Sequence, residues 1–247
     1  MPTLPSATAS SLEALTQEYR AITNNLANVN TPGFKRARTS FRQLLDTMST
    51  PADASGEAQA PGGTVYPVSA IDFSQGVLTR TGRSLDLALE GDGFFELETT
   101  EGPLYTRSGK FHVNAQRQLV DGAGRLVAGQ AGPISLPPGI PPGQVGVSRD
   151  GGIRAGGSEI GRPRIVRFDQ PSELVPAGDG CFRAPAGVAA TEATDVSVHQ
   201  GYVESSNVSA VEELIGLITV TRLYQANVKM LTAQDESLER ILDVAAS

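Results

Sequence analysis

The sequence lacks most of the residues on which enzymes and metal proteins depend. Its 247 residues include no tryptophan, two histidines and one cysteine, and they contain no apolar run of membrane length. Cys181 alone excludes an internal disulfide, and we interpret it as a small buried hydrophobic residue. His112 and His199 have no metal-ligand spacing, and His112 is expected on the polar face of a strand between Phe111 and Val113. We therefore expect no catalytic residue, no metal site and no cofactor.

Motifs of known chemistry are absent as well. The sequence has no H-E-x-x-H, C-x-x-C, G-x-S-x-G or P-loop pattern. Its net charge of −7 argues against general nucleic-acid binding, because that binding neutralises phosphates with basic side chains. Residues 1–6 have neither a basic nor an apolar segment, so we expect no cleaved secretory signal peptide. We expect no nucleic acid, no small-molecule substrate and no direct membrane insertion.

What the sequence does contain is a long heptad pattern at its C-terminal end. Apolar residues alternate at spacings of three and four, which predicts a helix from Asn207 to Val244 that winds along another helix. This seam consists of Leu214, Leu217, Thr221, Tyr224, Val228, Leu231, Asp235, Leu238, Leu242 and Ala245. A second stripe beside it makes the first half of the helix more apolar than one partner helix would require; it consists of Val208, Val211, Ile215 and Ile218.

A matching seam lies near the N-terminal end. It consists of Leu12, Leu15, Tyr19, Ile22, Leu26 and Val29, in a helix expected to begin near Ser10 or Ser11 and to run to about Asn28. Either helix alone could belong to an ordinary globular core. Because the chain between them must leave the first helix and return to the second, the two seams together favour an antiparallel coiled coil.

Four asparagines mark the end of the first helix: Asn24, Asn25, Asn28 and Asn30. Thr31-Pro32-Gly33-Phe34 then stops the helix, since proline disfavours helical backbone before it and Pro-Gly suits a type II turn. The asparagines are either an over-marked helix end or a polar surface for lateral contacts between copies.

Two segments with little to bury follow the first helix. Residues 33–42 carry Lys35, Arg36, Arg38 and Arg42 with no acid among them, which we interpret as a solvated segment or as a contact with an acidic neighbouring subunit. Residues 49–63 are rich in Ala, Pro, Gly and Ser, which indicates a linker or surface loop.

The central part of the chain has the two-residue period of β-strands. Leu85 to Leu89 and Phe95 to Leu97 alternate apolar and polar residues around Gly91-Asp92-Gly93, which predicts a β-hairpin. Short apolar pairs recur with Gly and Pro turns as far as residue 201, so we expect an all-β domain.

Several segments resemble one protein family over nearly the whole chain. Residues 24–35 and 201–214 resemble the N- and C-terminal signatures of bacterial flagellar rod and hook proteins, and residues 85–95 and 105–111 resemble their central β domain. The resemblance implies a self-assembling, non-enzymatic axial component of the flagellum. Residues 70–78 resemble the proximal-rod type, which we favour, whereas residues 221–227 resemble the distal-rod type equally well.

These patterns and the resemblance predict an α+β fold with four parts. Residues 1–40 form the N-terminal helix of an inner helical domain, 41–65 a linker or extension, 66–202 the central β domain, and 203–247 the C-terminal helix of the helical domain. The resemblance implies export through the flagellar type III apparatus, location in the basal-body rod across the periplasm, and contact with copies of itself and other rod proteins.

The predicted assembly interface combines the seams and the signatures. It consists of Leu12, Leu15, Tyr19, Ile22, Asn24, Asn25, Leu26, Asn28, Val29, Asn30, Pro32, Gly33 and Phe34, together with Asn207, Val208, Val211, Leu214, Leu217, Tyr224, Val228, Leu231, Leu238 and Leu242. Alternative interpretations are a distal-rod or short hook-type protein, an extracellular β-rich binding module with coiled-coil ends, and a hydrolase that uses scattered carboxylates.

Overall fold

The computed structural model describes residues 4–44 and 64–246, and within them the side chains of residues 11–39, 70–233 and 236. The chain divides into two compact units. The first unit comprises residues 1–27, 37–70 and 209–247, and the second comprises residues 28–36 and 71–208. The predicted loop at residues 49–63 lies outside the described residues.

Two long helices dominate the first unit, α1 (Leu4–Ala27) and α2 (Ala210–Ala246). Helix α1 begins earlier than the expected start near Ser10, and Pro5 does not prevent this because proline is tolerated in the first helical turn. Helix α2 carries Glu212 and Glu213 in its first turn, where negative charge stabilises the helix.

The helices pack side by side in opposite directions. Leu15 and Ile22 of α1 form a small apolar cluster with Val220 of α2, and Leu217 packs against it. The Ile22 side chain also lies over Gly216, where an added Cβ would be 3.2 Å from Ile22 Cδ1. Glycine at this position therefore lets the two helices approach closely.

The contact on α2 includes part of the seam that the sequence predicts. Val220 is buried, whereas its neighbour Thr221, which the seam includes, is exposed. Leu214 and Tyr224 are also nearly half exposed. Leu217 of the seam packs against α1, and Thr221 and Tyr224 line an open groove beside Leu15 and Tyr19, so the predicted seam lies along one edge of the contact.

The rest of the described chain is mainly β-structure. The strands, in chain order, are β1 (Ala37–Leu44), β2 (Thr64–Ile71), β3 (Leu78–Arg80), β4 (Leu87–Glu90), β5 (Phe94–Glu98), β6 (Leu104–Thr106), β7 (His112–Val113), β8 (Leu119–Val120), β9 (Leu126–Val127), β10 (Gly146–Val147), β11 (Ile153–Ala155), β12 (Ser158–Gly161), β13 (Ile165–Arg167), β14 (Val175–Gly178), β15 (Cys181–Arg183), β16 (Thr191–Glu192), β17 (Ser197–Gln200) and β18 (Tyr202–Glu204). Together with the two helices, this confirms the α+β class and the β-rich centre.

Strands β1 and β2 pair with each other, and the sequence did not predict β1. In the second unit, the largest sheet has the order β14-β15-β6-β5-β9-β8-β7, with β13 pairing to β5 and β16. Strands β10-β11-β12, β17-β4 and β18-β3 form three smaller sheets. Phe95 and Phe111 pack edge to face in the larger apolar core, and Cys181 is buried there as expected.

The predicted hairpin is wrong. Strand β4 pairs with β17, with Leu89 opposite Val198, whereas β5 pairs with β6, β9 and β13. Leu87, Ala88 and Leu89 are all buried, so both faces of β4 are covered. The alternation of leucine with small and acidic residues therefore did not mark one buried and one solvated face.

The position of Val220 gives a direct test of the helix contact. Val220→Asp should destabilise the helical unit by more than about 2 kcal/mol, because it buries a charge between the helices. Thr221→Asp on the exposed side should cost less than about 1 kcal/mol. Urea unfolding followed by far-ultraviolet circular dichroism measures both free energies, and a greater loss with Thr221→Asp would place the centre of the contact on Thr221 instead of Val220.

Candidate assembly interface

The Asn25 side chain is a buried polar connector within the first unit. Its Nδ2 donates to the Ala37 carbonyl at 2.8 Å, and its Oδ1 accepts from the Ala37 backbone N–H at 2.8 Å. The same Nδ2 donates to Glu213 Oε2 at 3.2 Å, and both side chains are about 1% exposed. One amide therefore ties α1 to both β1 and α2, a role that the asparagine pattern did not predict.

The other residues of the helix end lie closer to the surface. Asn24 and Asn30 are exposed, whereas Asn28 is half-buried and accepts a bond from Thr31 Oγ1 at 3.1 Å. The residues of the N-terminal seam also differ in how far they are buried. Leu15 and Ile22 are buried, Leu12, Leu26 and Val29 are half-buried, and Tyr19 is nearly half exposed.

Helix α2 carries an exposed apolar patch, which we define as Val211, Leu214, Ile215 and Ile218. Their exposed fractions run from 46% at Leu214 to 67% at Val211. Ile218 lies about 160° around the helix from Val220, so the patch faces away from the contact with α1. Contiguous exposed apolar residues of this kind mark interaction surfaces more often than free surface.

The remaining predicted positions on the C-terminal segment differ from one another. Val228 is exposed, Leu217 and Leu231 are half-buried, and Val208, in the second unit, is buried. The side chains of Leu238 and Leu242 lie outside the described residues.

Gly33 lies where two backbones meet in the second unit. Its φ is +71°, and an added Cβ would run into the backbone of Arg107 and Ser108. Its N–H donates to the Glu204 carbonyl at 2.7 Å. Glycine is required here both for its conformation and for its lack of a side chain.

The Glu204 carboxylate is the centre of a buried ionic cluster. Lys35 Nζ lies 2.6 Å from Glu204 Oε1, and Arg107 Nη1 lies 3.4 Å from Oε2. The Gly76 N–H also donates to Oε1 at 2.9 Å, and Lys35 Nζ donates to the Ser74 carbonyl at 2.8 Å. All three charged side chains are at most 3% exposed, so both cations depend on the Glu204 carboxylate for compensation.

Burial is the largest influence on the pKa of both buried cations, Lys35 and Arg107. Desolvation lowers the pKa of Lys35, and the Glu204 carboxylate opposes that shift. Desolvation likewise lowers the pKa of Arg107 against the same carboxylate. Arg107 also donates to the Gly91 carbonyl at 2.8 Å and lies over the Phe94 ring, 5.2 Å from its centroid.

The Asn207 side chain makes a second connection beside this cluster. Its Oδ1 accepts from the Arg36 backbone N–H at 2.8 Å, and its Nδ2 donates to the carbonyls of Asp72 and Ser74 at 2.8 and 3.1 Å. The residues after the helix end, the segment near residue 74 and the segment before α2 are thereby joined within one unit.

Sequence reasoning missed the charged members of the cluster. Lys35 is buried and paired, so its interpretation as part of a solvated basic segment is wrong. Glu204 follows Val203 on a strand and pairs with a lysine 169 positions away. The only signal for this pairing was that each residue lies in a segment with a family resemblance.

Three protein families and several individual proteins are similar in sequence to this chain, and together they cover most of its length. Residues 7–35 match the family described as "Flagella basal body rod protein", residues 88–155 match "Flagellar hook protein FlgE/F/G D1 domain", and residues 199–244 match "Flagellar basal body rod FlgEFG protein C-terminal". The flagellar basal-body rod protein FlgF of Caulobacter vibrioides is 35% identical over 218 residues, which is 88% of this chain and 87% of that protein. The chain belongs to the flagellar basal-body rod protein family.

Rod proteins named FlgG are also similar to this chain. The FlgG proteins of Agrobacterium fabrum and Bacillus subtilis are 34% and 31% identical, covering 92% and 90% of this chain and 94% and 91% of their own lengths. Lys35, Arg107 and Glu204 each lie in a different one of the three matched segments. In this rod-family chain, the ionic cluster therefore joins all three segments. Among its described residues, neither helix has an apolar stretch sufficient to cross a membrane.

The ionic cluster predicts an unequal response to two similar substitutions. Glu204→Gln should destabilise the β-rich unit by about 3–5 kcal/mol, because it leaves two buried cations uncompensated. Glu90→Gln removes an exposed carboxylate 2.7 Å from His199 Nε2 and should cost less than about 1 kcal/mol. Equal urea midpoints for the two variants would contradict the central role of Glu204.

Gly33 can be tested against a glycine of similar conformation. Gly33→Ala should cost more than about 3 kcal/mol, because backbone strain adds to a collision with the neighbouring chain. Gly82 has a φ of +74° but open space where its Cβ would lie, so Gly82→Ala should cost only about 1–2 kcal/mol. Thermal unfolding measures the difference, and similar losses would show that strain alone explains Gly33.

Proposed function

We propose that this chain is a structural subunit of the bacterial flagellar basal-body rod. The observation that carries the proposal is the similarity to rod proteins over about nine-tenths of both chains. The subunit acts through contacts with its neighbours and has no catalytic step. In an assembled rod these contacts would transmit torque and enclose the export channel.

Within such a subunit, residues 1–27, 37–70 and 209–247 would form the inner helical domain with its extension, and residues 28–36 and 71–208 the central β domain. The helices would pair as an antiparallel coiled coil. The packing of Leu15 and Ile22 against Val220 supports this pairing, and the heptad pattern beyond Val220 would extend it.

The apolar patch on α2 would be the main assembly surface. Val211, Leu214, Ile215 and Ile218 expose apolar area that α1 does not cover, and burying it stabilises a contact by about 25 cal/mol per Å². A patch that meets a different surface on the next copy forms a head-to-tail contact, and such contacts produce filaments when they do not close into rings.

Asn24 and Asn30 would add polar lateral contacts. Both are exposed, and an asparagine side chain both donates and accepts hydrogen bonds. Asn25, Gly33 and Asn207 would contribute indirectly, since their intramolecular bonds hold the segments around them. The partners would be copies of this chain and other rod proteins.

The chain would leave the cell through the flagellar type III export apparatus and take a proximal position in the rod. A distal position is the alternative, because residues 221–227 resemble the distal-rod type equally well. Electron cryotomography of cells with a labelled subunit distinguishes the two. A label at the hook end of the rod would contradict the proximal assignment.

The patch gives the sharpest test of assembly. Ile218→Asp should leave the monomer folded and exported, because Ile218 is exposed, but it should abolish swimming and rod growth. Gln225→Asp lies on the same face seven residues later, where the helix is already polar, and should swim normally. Normal swimming with Ile218→Asp would remove the patch from the assembly surface.

A further inference from the structure

The helical unit leaves an apolar groove open between α1 and α2, which we call the helical groove. Its cavity volume is about 270 Å³, and its lining consists of Leu15, Thr16, Tyr19, Val220, Thr221 and Tyr224. Leu15 and Val220 are buried, whereas the Tyr19 and Tyr224 side chains are 46% and 44% exposed. The contact between the helices therefore buries the base of the groove and leaves its aromatic walls uncovered.

The helical groove follows the predicted heptad seams. It contains Tyr19 from the N-terminal seam and Thr221 and Tyr224 from the C-terminal seam, and Val228, one helical turn beyond Tyr224, is 38% exposed. A heptad seam is the pattern of a helix that winds along another helix, since a helical partner presents side chains at the matching spacing. Because α1 leaves these seam residues exposed, they indicate a further helix as the occupant of the groove.

The apolar patch on α2 has the spacing that such an occupant needs. Its four side chains recur at intervals of three, one and three residues, which places them in one stripe along the helix. The described helical residues contain no other stripe of four large exposed apolar side chains. Within one copy the patch cannot enter the groove, because its centre lies about 120° around α2 from the groove. Only the patch of a second copy can therefore reach it.

We propose that the patch of one copy packs into the helical groove of the next copy, with Ile218 between Tyr19 and Tyr224. The inference rests on the proposed function and names the surface that receives the patch. On α2 the groove is centred about 11 Å further along the helix than the patch. Each copy therefore presents two different surfaces, one for each neighbour, and such head-to-tail contacts continue to add subunits when they do not close into a ring.

Disulfide cross-linking of two single-cysteine variants tests this contact. Both are full chains in a Cys181→Ala background; Ile218→Cys places its thiol in the patch, and Thr16→Cys places its thiol in the groove. After mixing and oxidation, the dimer that contains one of each should form at least about fivefold more than the dimer of either variant alone, because a disulfide requires Cβ atoms within about 4.5 Å of each other. Glu13→Cys, exposed on α1 outside the groove, is the control for Thr16→Cys and should give no such excess.

A tag on one variant distinguishes the mixed dimer from the two others by mass, and two results would overturn the proposal. A dimer formed mainly by Ile218→Cys with itself would show that the patch meets another patch. A mixed yield equal to that of the Glu13→Cys control would show that the groove does not receive a second copy and is left to a different protein.

A groove-filling substitution separates this inference from the proposed function. Thr16→Trp should occupy the groove and stop rod growth and swimming, whereas Glu13→Trp should swim normally, and circular dichroism checks that both variants keep their helices. Normal swimming with Thr16→Trp, where Ile218→Asp does not swim, would overturn the groove and leave the rod-subunit proposal intact. Conversely, rods that form normally without this chain would refute the proposed function and leave the cross-linking unchanged.

Discussion

The β-rich unit depends on the placement of one carboxylate out of contact with water. Glu204 is 1% exposed and compensates two buried cations, Lys35 and Arg107, that come from distant parts of the sequence. Each of the three charges is unfavourable alone, so the segments that carry them are stable only when they meet. Separating a buried charge from its partner costs about 3–5 kcal/mol, so arrangements that part these segments are disfavoured. Gly33 adds a further constraint, since its backbone bond to Glu204 requires the absence of a side chain.

In the helical unit, a buried polar pair likewise constrains the contact between the two helices. Asn25 and Glu213 are buried beside the apolar cluster of Leu15, Ile22 and Val220, and the bonds of Asn25 to Ala37 and Glu213 form only in one register. A purely apolar helix pair can slide by a turn and still bury similar area, whereas sliding here would break the bond between Asn25 and the buried Glu213 carboxylate. The polar residues therefore determine where the helices contact each other, and the apolar residues supply most of the free energy of burial.

The sequence predicted the helices and the β-rich centre because each depends on local periodicity. It did not predict β1, the burial of Val220 rather than Thr221 against α1, or the separation of β4 from β5. Those features depend on which surface covers which, and a stripe such as Leu214, Leu217 and Thr221 resembles its neighbour when the partner is unknown. The prediction for Lys35 was wrong for a related reason. Four basic residues without a local acid suggest a solvated segment, but the acid that compensates Lys35 lies far along the chain. Among the predicted interface residues, spacing identified Leu15 and Ile22 as a buried pair, but it could not separate the buried Asn25 from the exposed Asn24.

The burial of some signature residues limits the contacts that they can make between subunits. Asn25, Gly33 and Asn207 already use their distinctive chemistry inside the chain, so contacts between copies must draw on exposed positions. On α2 those positions change character along one face, from the apolar patch at residues 211–218 to Arg222, Gln225 and Lys229. A neighbour lying along this face would bury apolar area over about two helical turns and then meet polar side chains. An apolar surface that ends abruptly fixes the axial position of its partner, because sliding in either direction either exposes the patch or buries a charge.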